Sequence, residues 1–134
     1  MAKILLIEDD DLMARMYKDF LTYDKHEVEL AYDGETGIAM ARTIKPDLIL
    51  LDFMMPKMNG LEALKKIKAD PASKDITVVI LTNLANDEVT KDCMNNGAAG
   101  YILKSNLSLD EMLSEVKRYL AMNNKASTSE VDQT

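Results

Sequence analysis

Between Asp47 and Gly60 the chain reads DLILLDFMMPKMNG. Four aliphatic residues, Leu48 to Leu51, lead without a polar interruption into one carboxylate, Asp52, and turn formers follow at Pro56 and Asn59-Gly60. An unbroken apolar run this short, bounded by breakers, suits a strand buried on both faces, as in a parallel sheet. Such a sheet needs helices on both sides, which narrows the fold at once. An acid at the carboxyl end of the strand stands where open α/β sheets place their ligands. On position alone, Asp52 is as well read as a loop cap as part of a site.

The rest of the chain supplies the helices. Ile4 to Ile7 is a first apolar run, followed by Glu8-Asp9-Asp10-Asp11, and Met13, Met16, Tyr17, Phe20 and Leu21 then recur at helical spacing. Glu27 to Ala31 alternates as a more exposed strand does, and Asp33-Gly34 opens a second helix carrying Ile38, Ala41 and Ile44 to the break at Pro46. Asn59 and Glu62 form a capping-box pattern ahead of the stripe Leu61, Leu64 and Ile67. Thr77 to Leu81 is a fourth strand ending at Thr82. Asn86 is placed to cap a helix carrying Val89 and Cys93, which should stop at Gly97. Tyr101 to Leu103 is a short fifth strand ending at Lys104. Ser108 and Glu111 form a second capping box before the stripe Leu109, Met112, Leu113, Val116 and Leu120. Residues 1–122 read as one domain, and the small polar residues 123–134 as a frayed tail or linker stub. Five β–α units in strict alternation predict a doubly wound α/β fold whose sheet is parallel. Alternation alone leaves strand order open.

Composition trims the classes of function. The 134 residues suffice for one domain that buries roughly two-thirds of its unfolded surface. A net charge of −7 opposes a nucleic-acid surface, which needs a basic stripe, and favours a cation as partner. The single cysteine, Cys93, excludes an internal disulfide and reads as a small core residue. The one histidine, His26, stands between Lys25 and Glu27 and reads as surface. Ten methionines without a tryptophan suggest core filler, with some at an adaptable contact surface. No signal peptide and no membrane span is expected, which implies the cytoplasm.

In a parallel sheet all carboxyl ends share one rim. Glu8 and Asp9, Asp52, Thr82 and Lys104 each stand at the end of an apolar run and so belong to that rim. The acids meet if strands one and three are neighbours. Two carboxylates 4 Å apart repel by about 4 kcal/mol at an effective dielectric near 20. Such a site raises a pKa or holds a cation. Oxygen ligands of this kind suit Mg²⁺ better than zinc, and Mn²⁺ can stand in for it. Metal, lysine and hydroxyl together suit a phosphoryl group, and an aspartate among them can be its nucleophile.

The segments ILLIEDDD, LLDFMMPKMNG with its D-x-x-M-P-x-x-x-G pattern, VVILTN and GAAGYILK, in this order, resemble the receiver domains of two-component response regulators, the CheY-like group. The likeness covers Lys3 to Leu120 and implies the strand order 2-1-3-4-5, for which CheY is a standard example. It implies Asp52 as phosphoacceptor, with Mg²⁺ held by Asp9, Asp52 and the backbone carbonyl of Met54 and by Glu8 largely through water. Lys104 would pair with phosphoryl oxygens, Thr82 would move toward them, and Tyr101 would turn inward, altering the face of helix four, strand five and helix five. The implied partners are a sensor histidine kinase or histidine phosphotransfer protein upstream and a protein target or fused effector downstream. The domain would work as a monomer or as a phosphorylation-dependent dimer, a signalling module rather than an enzyme.

Some residues depart from the family's pattern. Ser105 replaces the proline that usually follows the lysine, so a trans peptide is expected, a cis bond there costing roughly 2.5–4 kcal/mol. Asn83 replaces a small residue and either narrows phosphodonor entry or adds a contact. Met54 and Leu84 occupy positions that tune phosphoryl lifetime in such proteins. Both are apolar and unable to orient a water, which implies slow self-dephosphorylation. An aspartyl phosphatase would need an acid where Met54 stands. Flavin binding conflicts with the negative charge of Glu8-Asp9-Asp10. A receiver that binds partners without phosphorylation, or one that is part of a larger regulator, remains as the alternative.

Overall fold

The computed structural model describes residues 2–83, 87–105 and 107–132, with residues 123–132 as backbone only. Its elements alternate: β1 (Lys3–Ile7), α1 (Asp11–Tyr23), β2 (Glu27–Ala31), α2 (Gly34–Ile44), β3 (Leu48–Asp52), α3 (Gly60–Ala69), β4 (Thr77–Thr82), α4 (Asp87–Asn95), β5 (Gly100–Leu103) and α5 (Leu109–Asp132). All four strand pairings are parallel and the order is β2-β1-β3-β4-β5. The doubly wound fold and the order 2-1-3-4-5 are therefore as expected. β3 lies at the centre of the sheet with all five residues buried, which is why it could afford no polar residue before Asp52.

Side chains along a strand alternate between faces, and the core divides accordingly. Ile4, Leu6, Leu48, Leu50, Val79 and Leu81 pack with Tyr17 and Leu21 of α1 and Met112, Val116 and Tyr119 of α5. Leu5, Ile7, Ile49, Leu51, Val78 and Ile80 pack on the other face with Ala41 of α2, Ala63, Leu64 and Ile67 of α3 and Cys93 of α4. Each fully buried Leu or Ile contributes roughly 1.5–3 kcal/mol of transfer free energy, so burial of the sheet on both sides dominates the stability. Cys93 is a core residue, as its helical neighbours suggested.

Helix starts follow the capping chemistry in the sequence. Asp10 and Asp33 accept from Met13 N–H and Thr36 N–H, and Asn59 and Glu62 form the full reciprocal box. At α5 the Ser108 hydroxyl accepts from Glu111 N–H at 3.2 Å and donates to the Glu111 carboxylate at 3.0 Å, a side-chain variant of that box. α4 ends before Gly97, whose φ of +101° takes the left-handed turn into β5. The proposed cap Asn86 lies outside the described residues.

One expectation needs correction. His26 is not a surface residue: its side chain is 9% exposed, and its Nδ1 accepts from Ala2 N–H at 3.3 Å. The β2 register opposite β1 folds it under the sheet's amino edge, a placement that flanking charges in the sequence conceal. Burial, more than the Asp24 carboxylate 3.5 Å away offsets, pushes its pKa down. Past Met122, α5 continues as helix to Asp132. Residues 123–132 read NNKASTSEVD, mostly weaker helix formers with no apolar stripe, so nothing in the sequence announces this extension.

Candidate functional site

The β1–β3 pairing sets Ile7 beside Leu51, so Glu8 and Asp9 leave β1 next to Asp52 at the end of β3. β3 in turn pairs Asp52 with Leu81, and β4 pairs Thr82 with Leu103, which carries Thr82 and Lys104 to the same rim. Main-chain bonds fasten the loops there: Glu8 N–H donates to Ala31 C=O, Phe53 N–H to Leu81 C=O, and Lys104 N–H to Thr82 C=O at 2.8 Å. Glu8, Asp52 and Thr82 are buried, at 1, 3 and 2% exposure, while Asp9 is exposed. A buried carboxylate without compensation is costly, so the pairing of these two acids needs a cause.

Lys104 provides it. Its Nζ lies 2.5 Å from Glu8 Oε1 and 2.9 Å from Asp52 Oδ1, with only 8% of the side chain exposed. Burial works against its charge, but the bonds to Glu8 and Asp52 outweigh that and hold its pKa above the ordinary lysine value. Glu8 moves up as well, through burial first and the hydrogen bond with Asp52 second, against the lowering pull of Lys104. The two directions agree physically, since one ammonium faces two carboxylates and leaves negative charge uncompensated. The Lys104–Ser105 peptide is trans, as serine in place of proline implied.

Carboxylate oxygens of Glu8, Asp9 and Asp52 lie within 4.8 Å of one another. Hard oxygen donors around excess negative charge fit a small divalent cation, and the absence of sulfur or imidazole among them disfavours zinc. Met54, two residues past Asp52, is 60% exposed. Tyr101 is 44% exposed on β5, and Asn83 is exposed beside Thr82. Leu84 lies outside the described residues.

Two further residues belong to the surroundings of this site. Tyr17, read from the sequence as one of a helical stripe, is 1% exposed and its phenol is pushed up by burial, with Lys104, Glu8, Asp52 and Asp10 all acting on it. Nothing in helical periodicity marks which stripe residue reaches the rim. Gly60 opens α3 so close to the Asp52 loop that a Cβ there would lie 2.7 Å from Phe53 Cα and 2.8 Å from Asp52 O. The glycine that ends the D-x-x-M-P-x-x-x-G pattern is thus required by backbone contact.

A family model for the response regulator receiver domain matches residues 4–117. Among curated proteins, the chain is 38% identical over 103 residues to response regulator PleD of Caulobacter vibrioides, covering 77% of this chain and 23% of that protein. It is 42% identical over 105 residues to the nitrate/nitrite response regulator protein NarL of Escherichia coli, covering 77% of this chain and 48% of NarL. The chain therefore spans half or less of the length of these relatives. Among solved structures, the chemotaxis protein CheY4 of Vibrio cholerae superposes with a TM-score of 0.84 at 28% identity, covering 89% of this chain and 98% of that one. The family match takes in every rim residue from Glu8 to Lys104, and this chain belongs to the receiver domains of response regulators.

Proposed function

We propose that the domain is a phosphorylation switch in which Asp52 accepts a phosphoryl group from a histidine of a sensor kinase or phosphotransfer protein. The observation that carries this reading is the buried Lys104 ammonium held between Glu8 and Asp52 at the rim. An Asp52 oxygen forms the new O–P bond as the donor's N–P bond breaks, and the released imidazole takes a proton from solvent. Lys104 passes from the Asp52 carboxylate to a phosphoryl oxygen, and the Thr82 hydroxyl donates to another. Asp9, Asp52, the Met54 carbonyl and, more remotely, Glu8 would hold Mg²⁺ or Mn²⁺, which supplies charge neutralisation for the transferring group. The new group brings about −1.5 to −2 of charge and three acceptors, enough to draw Thr82 in. Tyr101 then turns inward and alters the α4–β5–α5 face.

Met54 and Leu84 give an attacking water no polar group to orient it, so the phosphoryl group persists, while Asn83 modulates donor access. The domain signals by protein contact and does not turn over a substrate. The match to only part of PleD and NarL favours a receiver within, or working with, a larger effector-bearing regulator, residues 123–134 serving as the connection. A second copy of the domain is the other candidate partner, through phosphorylation-dependent dimerisation. Direct nucleic-acid binding by the domain is disfavoured by its net charge of −7. No described helix is long and apolar enough to cross a membrane, and we place the domain in the cytoplasm with its kinase partners.

Incubation with Mg²⁺ and a small phosphodonor, read by intact mass, tests the assignment. A single phosphoryl adduct on the parent and none on Asp52→Asn is expected. No adduct on the parent, or an undiminished one on Asp52→Asn, would overturn it.

A further inference from the structure

Side chains on a helix lean back toward its first turn. α1 starts at the acid rim, capped by Asp10 next to Glu8 and Asp9, so the ring of Tyr17, about two turns along it, runs up toward that rim. The ring is a core group, 1% exposed and clustered with Leu6, Leu50, Leu81 and Met112. A leucine would fill that place. The hydroxyl is what leucine lacks, and among the described residues it meets no hydrogen-bond partner. A polar group buried without a partner costs stability, so this one calls for a reason. After burial itself, the influences on the phenol are all charges of the rim: Lys104 first, then Glu8, Asp52 and Asp10.

We propose that Tyr17 positions Lys104 for phosphoryl transfer: as the ammonium leaves Asp52 for a phosphoryl oxygen, one Lys104 N–H donates to the Tyr17 hydroxyl oxygen and fixes the direction of the others. The inference rests on the reading of Asp52 as the phosphoacceptor. An ammonium carries three protons, and in this structure Glu8 and Asp52 take two of them. Once Asp52 is esterified, the phenol oxygen is an acceptor that holds the ammonium without adding another negative charge to the rim. With Glu8 and Tyr17 each holding one proton, the remaining N–H is left for the transferring group, which it meets already oriented. Tyr17 touches no reacting atom in this scheme and acts through Lys104 alone.

The test compares the whole chain with Tyr17→Phe, which keeps the ring and removes only the hydroxyl, and with Tyr17→Leu, which removes both. Each is incubated with Mg²⁺ and acetyl phosphate, and adduct formation is timed by intact mass. Urea midpoints are measured alongside, and the Lys104 side-chain ammonium is followed by nitrogen-15 NMR before and after phosphorylation. Tyr17→Phe is expected to unfold at the same urea concentration as the parent or a higher one, since the hydroxyl has no protein partner to lose. It should nevertheless take up phosphate about three- to tenfold more slowly, the contribution of one hydrogen bond. The Lys104 signal of the phosphorylated protein should differ between the parent and Tyr17→Phe. Tyr17→Leu should be at least as slow and should also unfold earlier. A Tyr17→Phe rate equal to the parent's, a rate that falls only together with the urea midpoint, or a Lys104 signal indifferent to the hydroxyl would each overturn the inference. A rate lost in Tyr17→Leu but kept in Tyr17→Phe would overturn it too, by reducing Tyr17 to packing. An adduct on the parent with an unchanged Tyr17→Phe rate sinks this inference alone. No adduct on the parent sinks the reading of Asp52 and takes the inference with it.

Discussion

Lys104 decides the electrostatics of the rim. Among the described residues it is the one cation paired with these two buried carboxylates, so removing it leaves Glu8 and Asp52 facing each other without that counter-charge. Breaking a buried pair in this way costs about 3–5 kcal/mol. The sign with pH follows from Glu8. Its folded pKa is already raised from the usual 4.5, so its favourable contribution is complete below that value and is lost as pH rises through the folded one. Lys104 is what pulls the Glu8 pKa down, so without it the Glu8 carboxyl shifts up further. Lys104→Met should therefore be most destabilised at neutral and alkaline pH and recover as pH falls and an acid takes a proton. Urea melts at several pH values check this; a deficit that is flat with pH would contradict it. In the proposed cycle, Met54 bears on the other end, the loss of the phosphoryl group. The double variant Met54→Asn, Leu84→Glu gives the attacking water polar partners and should shorten the phosphoryl lifetime on the order of tenfold or more, measured by decay of the adduct mass.

The β3–α3 connection shows how a loop is held so that its acid stays in place. Gly60 N–H donates to Phe53 C=O at 2.8 Å, and the absent Cβ lets α3 start against the main chain of Asp52 and Phe53. That neighbour is backbone rather than the end of a flexible side chain, so it cannot step aside cheaply. Gly60→Ala should cost about 1–3 kcal/mol and slow phosphoryl uptake together, because relief of the clash must move Asp52. Thermal melts and adduct formation rates on the same variant check it; a loss of stability with unchanged uptake would detach the glycine from the site. The capping boxes at Asn59 and Ser108 were readable from the sequence, since each satisfies a backbone donor three residues on. The contact of Gly60 was not, because it depends on where two separate elements meet.

Taken entire, the described molecule is a sheet buried on both faces with the candidate site at the carboxyl ends of its strands. Residues 123–134 offer one large aliphatic side chain, Val131, and no stripe of the kind that packs Met112, Val116 and Leu120 against the sheet. Truncation after Met122 should then leave the unfolding free energy within about 0.5 kcal/mol, the range of surface changes. A larger loss in denaturant melts would show that the extension packs on the domain instead of serving as a connection.

Local chemistry in the chain was enough for the alternation of strands and helices, the burial of Leu48 to Leu51 and the helix caps, because these depend on neighbours a few residues apart. The order of the strands followed from resemblance rather than from periodicity. Residue types also nominated Glu8, Asp9, Asp52, Thr82 and Lys104, each at the end of an apolar run, without saying that they meet. Their meeting is long-range: Lys104 and Glu8 are 96 positions apart, and only the β1–β3–β4–β5 register brings them within 2.5 Å. The burial of His26 and of the Tyr17 phenol belongs to the same class. Burial is a property of what packs from elsewhere, and no window of sequence contains it.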